Sequence, residues 1–116
     1  MRGNILVVRI DGTTIPMTFE RSITMADLKG VLDGFLFKNP AFDTYVDNVT
    51  GRVYPAKLVT DGNSSRNTAL ESIIERSAKV KGMPSPFPPG EGKFMTSNAA
   101  IIWGDKEFME SVSKWA

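Results

Sequence analysis

The sequence predicts an α+β domain whose strands and helices follow one another in the order ββα-ββ-α-β. Apolar and β-branched residues flank an Asp11-Gly12 pair near the start of the chain, which is typical of a β-hairpin with a two-residue turn. Two later segments, 24–37 and 68–80, begin with capping signals and continue with apolar residues at helical spacing. A further segment, 97–103, is apolar on both alternating faces, which indicates a strand buried between two layers.

The first hairpin is predicted over residues 4–20. Its strands are Asn4–Ile10 and Thr13–Glu20, and the inward positions of the second strand are apolar. Pro16 lies in that second strand and has no backbone N–H to donate, so we expect the strand to lie at an edge of the sheet.

The first helix is predicted over residues 24–37. Thr24 and Asp27 have the spacing of a capping box, and Asn39-Pro40 is expected to stop the helix. One apolar stripe is predicted to face the sheet, and it consists of Leu28, Val31, Leu32, Phe35 and Leu36.

The middle of the chain is predicted to form a second hairpin with a further extended piece, over residues 43–60. Thr68 and Glu71 then give a capping box for the helix over 68–80, which ends near Gly82. The buried side of this helix is predicted to be Leu70, Ile73, Ile74 and Ala78.

The last third of the chain combines a proline-rich loop, a strand and a helix. Residues 83–94 contain four prolines and two glycines, which predicts an extended segment without regular secondary structure. The strand at 97–103 follows, and Asp105 caps a terminal helix over 105–115. Its apolar side is predicted to be Phe108, Met109, Val112 and Trp115. With 116 residues, these elements fit a single domain spanning 1–116.

The junction between the first hairpin and the first helix carries a family resemblance. Residues 19–32 read Phe-Glu-Arg-Ser-Ile-Thr-Met-Ala-Asp-Leu-Lys-Gly-Val-Leu. This pattern resembles the ubiquitin-like, β-grasp family, and the likeness covers mainly residues 4–36 and, more loosely, 44–54. It implies a β-grasp-like mixed sheet in which the strand at 98–103 closes the centre and runs parallel to the first strand.

The resemblance also implies an alternative function as a ubiquitin-like modifier or carrier precursor. The conjugated members of the family end in a free Gly-Gly tail, whereas this sequence ends Ser-Lys-Trp-Ala in a predicted helix. Modifier or carrier activity would therefore require C-terminal processing near Gly104.

Composition excludes several catalytic classes. The chain has no Cys and no His, so disulfides, Cys/His zinc sites, Ser-His-Asp triads and Cys nucleophiles are absent. Gly90-Glu91-Gly92-Lys93 lacks the spacing and the following Ser or Thr of a phosphate-binding P-loop. Asp43, Asp47 and Asp61 match no calcium loop and are typical turn residues. We therefore predict a protein that is not an enzyme and uses no cofactor and no metal.

Charge and targeting signals point away from nucleic acid, membrane and secretion. The net charge is +1, and the densest basic group is only Arg76, Lys79 and Lys81. Nucleic-acid binding through this cluster is kept as a second alternative. The apolar run Ile5–Val8 is too short for a signal peptide or a membrane span. We expect a cytoplasmic protein, or one within an intracellularly assembled particle.

Two apolar features are candidate partner-binding sites. The first strand and the strand at 97–103 are apolar on both faces, so the second face is covered either by the chain's own helices or by a partner. In the latter case Trp103 would anchor the interface, with Ile101 and Val7 beside it. The proline-rich loop carries three apolar side chains that are costly to leave in water: Met83, Phe87 and Phe94.

The leading functional prediction is a non-catalytic protein-interaction module or a small structural subunit of a larger assembly, which could be viral. Its partner would be another protein or copies of itself.

Overall fold

The computed structural model describes residues 1–114 and contains an antiparallel five-stranded sheet with helices on both faces. In chain order its elements are β1 (Gly3–Val8), β2 (Thr14–Phe19), α1 (Met25–Lys29), β3 (Phe37–Lys38), β4 (Thr44–Val46), β5 (Val53–Pro55), β6 (Lys57–Thr60), α2 (Thr68–Val80), β7 (Ala99–Gly104) and α3 (Lys106–Ser113). The sheet order is β2-β1-β7-β6-β3, and β4 pairs with β5 in a separate hairpin. The protein is thus an α+β domain.

The N-terminal hairpin forms where the sequence predicts it. β1 and β2 pair antiparallel, with Leu6 opposite Pro16 and Val8 opposite Thr14. The Arg9 amide donates to the Thr13 carbonyl at 2.9 Å and closes a turn that has three residues, Ile10–Gly12, where two were predicted. Gly12 supplies the left-handed backbone, φ +88°, that this longer turn uses. β2 is an edge strand, as the missing N–H of Pro16 requires.

The central strand β7 runs opposite to the expected direction. It pairs antiparallel with β1, placing Ile102 opposite Ile5, so the parallel pairing expected of a β-grasp sheet is wrong. The reason lies in the segment 61–98, which leaves the sheet after β6 and returns to it at the same end. The Asp61 amide donates to the Asn98 carbonyl at 3.2 Å, and the Asn67 amide donates to the Met95 carbonyl at 2.8 Å. Since the segment begins and ends at one end of the sheet, β7 has to run back along β6. Because β6 itself runs in the same direction as β1, β7 is antiparallel to both.

The first helix is much shorter than predicted. Its capping box forms as expected, because the Thr24 hydroxyl accepts from the Asp27 amide and Asp27 accepts from the Thr24 amide. The helix nevertheless ends at Lys29, not near residue 37. Gly34 then adopts a left-handed backbone with φ +69°, and the chain continues into β3 instead of a further helical turn. Of the predicted stripe, Leu28 and Leu32 are buried, whereas Phe35 is 85% exposed.

The chain's own elements cover both faces of the sheet. On one face, Ile5, Val7 and Ile102 pack with α1 and α3, whose buried side chains include Leu28 and Phe108. On the other face, buried side chains of the sheet pack against α2 and the β4–β5 hairpin, and the cluster comprises Val8, Leu58, Ala99, Ile101, Leu70, Ile73 and Tyr45. Of the two alternatives that the sequence leaves open, coverage by the chain itself is therefore the one observed.

The cap of α2 differs from the predicted capping box. Asn67, which is fully buried, is the N-cap and accepts from the Leu70 amide at 3.0 Å. Its Nδ2 also donates to the carbonyls of Val8 and Ser97, so this one side chain connects the start of the helix to the end of β1 and to the segment that precedes β7. Glu71 is thereby free to pair with Arg66 at 2.8 Å instead of capping the helix.

The terminal helix α3 begins after Asp105, whose carboxylate accepts from the Phe108 amide at 2.9 Å, as predicted. Phe108 and Val112 are fully buried on its inner side. Trp115, which the sequence places on the same side, lies outside the described residues.

Candidate partner-binding groove

An apolar groove lies between α2, the proline-rich loop 83–94 and the turn at 39–42. Its volume is about 320 Å³. The lining is mostly apolar and includes Phe42, Ile74, Ala78, Met83, Phe87 and Met95. We refer to it as the α2 groove.

The proline-rich loop is fastened to α2 near both of its ends. At the first end, the Met83 amide donates to the Ala78 carbonyl at 2.9 Å. The Ser85 hydroxyl donates to Glu75 at 3.2 Å and also accepts from the Phe87 amide at 3.1 Å. The loop therefore forms a fixed wall of the groove, and its prolines restrict the backbone further.

At the second end of the loop, the ion pair of Arg66 and Glu71 holds the returning chain. Glu71 accepts two hydrogen bonds from the Arg66 guanidinium at 2.8 Å and one from the Met95 amide at 3.3 Å. The Arg66 guanidinium keeps the pKa of Glu71 below its usual range. The same guanidinium lies over the Phe94 ring, 5.7 Å from its centroid.

A smaller pocket of about 190 Å³ adjoins the α2 groove and shares Asn39, Phe42 and Leu58 with it. It is lined in addition by Lys38, Lys57 and Asp43. Lys38 pairs with Val59 and Lys57 with Ile102, so both lysines lie on the face of the sheet that α1 and α3 cover, opposite the face of α2. We call this second pocket the lysine pocket.

An ion pair joins the two pockets. The Lys81 ammonium lines the α2 groove and lies 2.7 Å from the Asp43 carboxylate of the lysine pocket. The hydrogen bond from Lys81 holds the pKa of Asp43 below its usual range, and the Thr44 hydroxyl adds to this effect. Asp43 is thus ionised at neutral pH and is already paired.

The six predicted partner-binding residues fall into three groups. Met83, which is 55% exposed, and the half-buried Phe87 line the α2 groove together. Phe94 is exposed at the other end of the loop, under Arg66. The remaining residues are Trp103, Ile101 and Val7, and none of them lines the α2 groove or the lysine pocket.

Val7 and Ile101 are fully buried, so their assignment to a partner surface is wrong for the folded chain. The physical reason is that α1 and α3 cover the face of Val7, while α2 and the β4–β5 hairpin cover that of Ile101. Trp103 is half-buried and packs on Tyr45 and Tyr54, with ring centroids 4.5 Å and 6.0 Å away. Its main contacts are therefore with its own chain.

Two exposed aromatic side chains lie where the sequence predicted a helix. Phe35 is 85% exposed, and Phe37 in β3 is 53% exposed. The sequence signal was present in Gly30 and Gly34, which weaken a helix at the point where it ends.

The sequence also does not predict that the carboxylate of Asp61 is buried. It accepts from the amides of Asn63, Asn98 and Asp33 and from Asn98 Nδ2, at 2.8–3.1 Å. Burial alone would raise its pKa, but the hydrogen bonds led by Asn98 outweigh burial and keep the pKa below its usual range. Because this carboxylate is ionised and accepts four hydrogen bonds, it holds the segments around Asp33, Asn63 and Asn98 together and is a poor group for proton transfer.

Residues 1–114 contain neither a cluster of metal-ligating side chains nor a helix that could span a membrane. Within this range no three His, Cys, Asp or Glu side chains lie together as a metal site would require. Among the same residues, none of the helices has the length and apolar character needed to cross a bilayer.

Comparisons with protein-family models, with curated proteins and with solved structures find no match to this chain. The likeness to the ubiquitin-like family therefore depends on the sequence pattern of residues 4–36 and, more loosely, 44–54, and stays a prediction.

Proposed function

We propose that this protein is a non-catalytic interaction module that binds a short segment of a partner protein in the α2 groove. One observation carries the proposal: the proline-rich loop is fixed to α2 near both ends, and yet Met83 and Phe87 remain at the opening of an apolar cleft. An open apolar surface bordered by polar residues is typical of a binding site.

The dimensions of the groove favour a peptide side chain over a cofactor. Its volume of about 320 Å³ lies at the small end of the range for ligand pockets, about 300–1,000 Å³. One or two apolar side chains fill such a space. Because the loop is already held in place, binding loses little loop entropy, and this favours affinity.

The experiment is a selection of peptides from a random library displayed on phage, with the intact protein as bait. The binding site of each enriched peptide is mapped by amide chemical shifts. We expect shifts around Ile74, Met83 and Phe87, and loss of binding in Phe87→Ala. The matched control is Val49→Ala, since Val49 is 92% exposed and does not line the groove. If no peptide maps to the groove, or if both variants bind alike, the proposal is wrong.

The modifier or carrier alternative has less support. Cleavage near Gly104 would remove α3 and with it Phe108 and Val112, both of which are fully buried. The shortened chain would expose the core cluster that these side chains cover. The antiparallel pairing of β7 with β1 also weighs against a β-grasp fold.

The nucleic-acid alternative has less support too. Within the cluster at 76–81, Lys81 is paired with Asp43, and Arg76 is only partly exposed. A site for phosphates would need several free cations on one surface. Membership of a larger assembly remains compatible with an interaction module and is part of the proposal.

A further inference from the structure

We propose that the protein has a second binding site, separate from the α2 groove, and that this site takes a neutral saccharide. The site is an open cleft of about 580 Å³ between the start of β1, the end of β7 and the β4–β5 hairpin. It shares no lining residue with the α2 groove. Its side chains are two aromatic rings and four polar groups: Tyr54, Trp103, Arg2, Asn4, Asp47 and Asp105. We refer to it as the Trp103 cleft.

Packed aromatic rings give the cleft a rigid side. The Trp103 ring packs on Tyr45 and Tyr54, with ring centroids 4.5 Å and 6.0 Å away and interplanar angles of 32°. Tyr45 is buried and does not line the cleft, whereas the half-buried Tyr54 and Trp103 do. Because the chain already fixes both lining rings, a ligand that packs on them costs little side-chain entropy.

The polar atoms of these two rings are available to a ligand. Within residues 1–114, neither the Tyr54 hydroxyl nor Trp103 Nε1 forms a hydrogen bond, and neither atom is buried. Such groups on packed rings ordinarily bond to a neighbouring side chain or to water. In the Trp103 cleft they form a pair of hydrogen-bonding groups held in place by the ring packing.

Three further side chains add donors and an acceptor. In the described part of the chain, the Arg2 guanidinium forms no ion pair, and Asn4 uses only its oxygen, 3.4 Å from the Thr18 hydroxyl. Asp47 is positioned by its own turn, since Oδ1 accepts from two amides of that turn at 2.8 Å and 2.9 Å. Its Oδ2 is left as an acceptor for a ligand hydroxyl.

The charges and the ring spacing argue against an ionic ligand. Arg2 and Asp47 carry opposite charges, and Asp105 is engaged by the amides of Phe108 and Arg2 at 2.9 Å and 2.7 Å. A phosphate would meet two carboxylates, and an ammonium group would meet the Arg2 guanidinium. The rings also lie too close together to hold a cation between them, because their centroids are 4.5 Å and 6.0 Å apart.

A neutral saccharide matches what remains. Its apolar C–H faces pack on aromatic rings, and each of its hydroxyls both donates and accepts hydrogen bonds. The cleft offers both kinds of partner beside two fixed rings. Its volume of about 580 Å³ falls within the range of ligand pockets, about 300–1,000 Å³.

The test is a glycan array probed with the intact protein, followed by NMR titration of each neutral glycan that binds. We expect at least one neutral glycan to shift the indole N–H signal of Trp103 and the amides of Asn4 and Tyr54. Tyr54→Phe keeps the ring and removes the hydroxyl, so affinity should fall about three- to tenfold. The matched control is Tyr45→Phe, which removes a hydroxyl from the same group of rings but outside the cleft. It should bind like the wild type.

Three results would overturn the proposal: no neutral glycan binds, the shifts map to another surface, or the two tyrosine variants bind alike. Inorganic phosphate and choline are titrated in parallel. If either shifts the signals of the cleft more strongly than any neutral glycan does, the assignment to a neutral saccharide is wrong. Thermal melting verifies that each variant is folded, and Arg2→Gln, which should also weaken binding, replaces Tyr54→Phe if that variant is unstable. Peptide selection on the α2 groove tests the proposed function independently of these outcomes.

Discussion

Replacing the buried carboxylate of Asp61 by an amide tests how the segment 61–98 is anchored to the sheet. Asp61→Asn keeps the size of the side chain and removes its charge. Oδ1 accepts from the Asn63 and Asn98 amides, and Oδ2 accepts from Asn98 Nδ2 and from the Asp33 amide. An amide side chain has one oxygen only, so two of these donors would face an NH₂ group.

The size of the effect follows from which donors lose their acceptor. A buried donor left without a partner costs about 1–3 kcal/mol. Asn98 is buried, whereas Asp33 is exposed and can turn to water. We therefore expect Asp61→Asn to lower the free energy of unfolding by about 2–3 kcal/mol, a large part of the ~5–15 kcal/mol that is usual for a domain.

The assay is urea denaturation of the wild type and the variant across a range of pH. Since the folded-state pKa of Asp61 lies below its unfolded value, its ionised form stabilises the fold above that unfolded value of about 3.9. This contribution is lost as the pH falls through the lower, folded-state pKa. The stability gap between wild type and Asp61→Asn should therefore be full at neutral pH and narrow in acid.

The matched control is Asp11→Asn, an exposed turn carboxylate that accepts from the amide and the hydroxyl of Thr13. We expect it to change the free energy of unfolding by no more than about 0.5 kcal/mol. If Asp61→Asn is equally mild, or if its effect grows as the pH falls, the reasoning about this carboxylate is refuted.

Three further predictions concern packing and capping. Gly104→Ala should destabilise by about 1–3 kcal/mol in thermal melting, because a Cβ there would lie 2.6 Å from both the Arg2 carbonyl oxygen and the Phe108 ring. Gly30→Ala is its control, since the nearest atom is 3.4 Å away, and an equal loss in both variants would contradict the packing. Trp103→Ala should lower stability by about 2–4 kcal/mol while peptide binding in the α2 groove persists in the folded fraction; loss of binding without loss of stability would restore Trp103 as a contact residue. Asn67→Ala should cost about 2–4 kcal/mol in urea denaturation, because it removes a helix cap and leaves the Val8 and Ser97 carbonyls without their donor; a change under about 1 kcal/mol would argue against this anchor.

The features that the sequence predicts well are those that depend on neighbouring residues. The Asp11-Gly12 turn, the Thr24–Asp27 capping box and the Asp105 cap each need only a few consecutive side chains, and each is present in the structure. The same holds for the proline-rich loop, whose composition alone opposes regular structure.

The features that it misses depend on distant contacts. The direction of β7 depends on bonds between Asp61 and Asn98 and between Asn67 and Met95, which no local pattern reveals. The short first helix likewise reflects the pairing of β3 with β6 and the hydrogen bond from the Asp33 amide to Asp61. Tertiary contacts here override helix periodicity.

The candidate site divides along the same line. Met83 and Phe87 are recognisable in the sequence as candidate contact residues, because apolar side chains in an extended proline-rich loop are costly to expose to water. The pocket lined by Lys38 and Lys57 cannot be predicted from the sequence, because the two residues lie on β3 and β6, and the pairing of these strands depends on distant contacts. Val7 and Ile101 were misassigned because sequence alone cannot tell which of the chain's own elements cover a sheet face.

Mapping the bound peptide on the intact protein tests the central claim most directly. The central claim is that the apolar α2 groove binds a short segment of a partner protein. We predict that a peptide enriched from the random library shifts the amides of Ile74, Met83 and Phe87 together, and that Phe87→Ala abolishes its binding while Val49→Ala leaves it unchanged. Shifts confined to another surface, or equal binding by the Phe87→Ala and Val49→Ala variants, would contradict the claim.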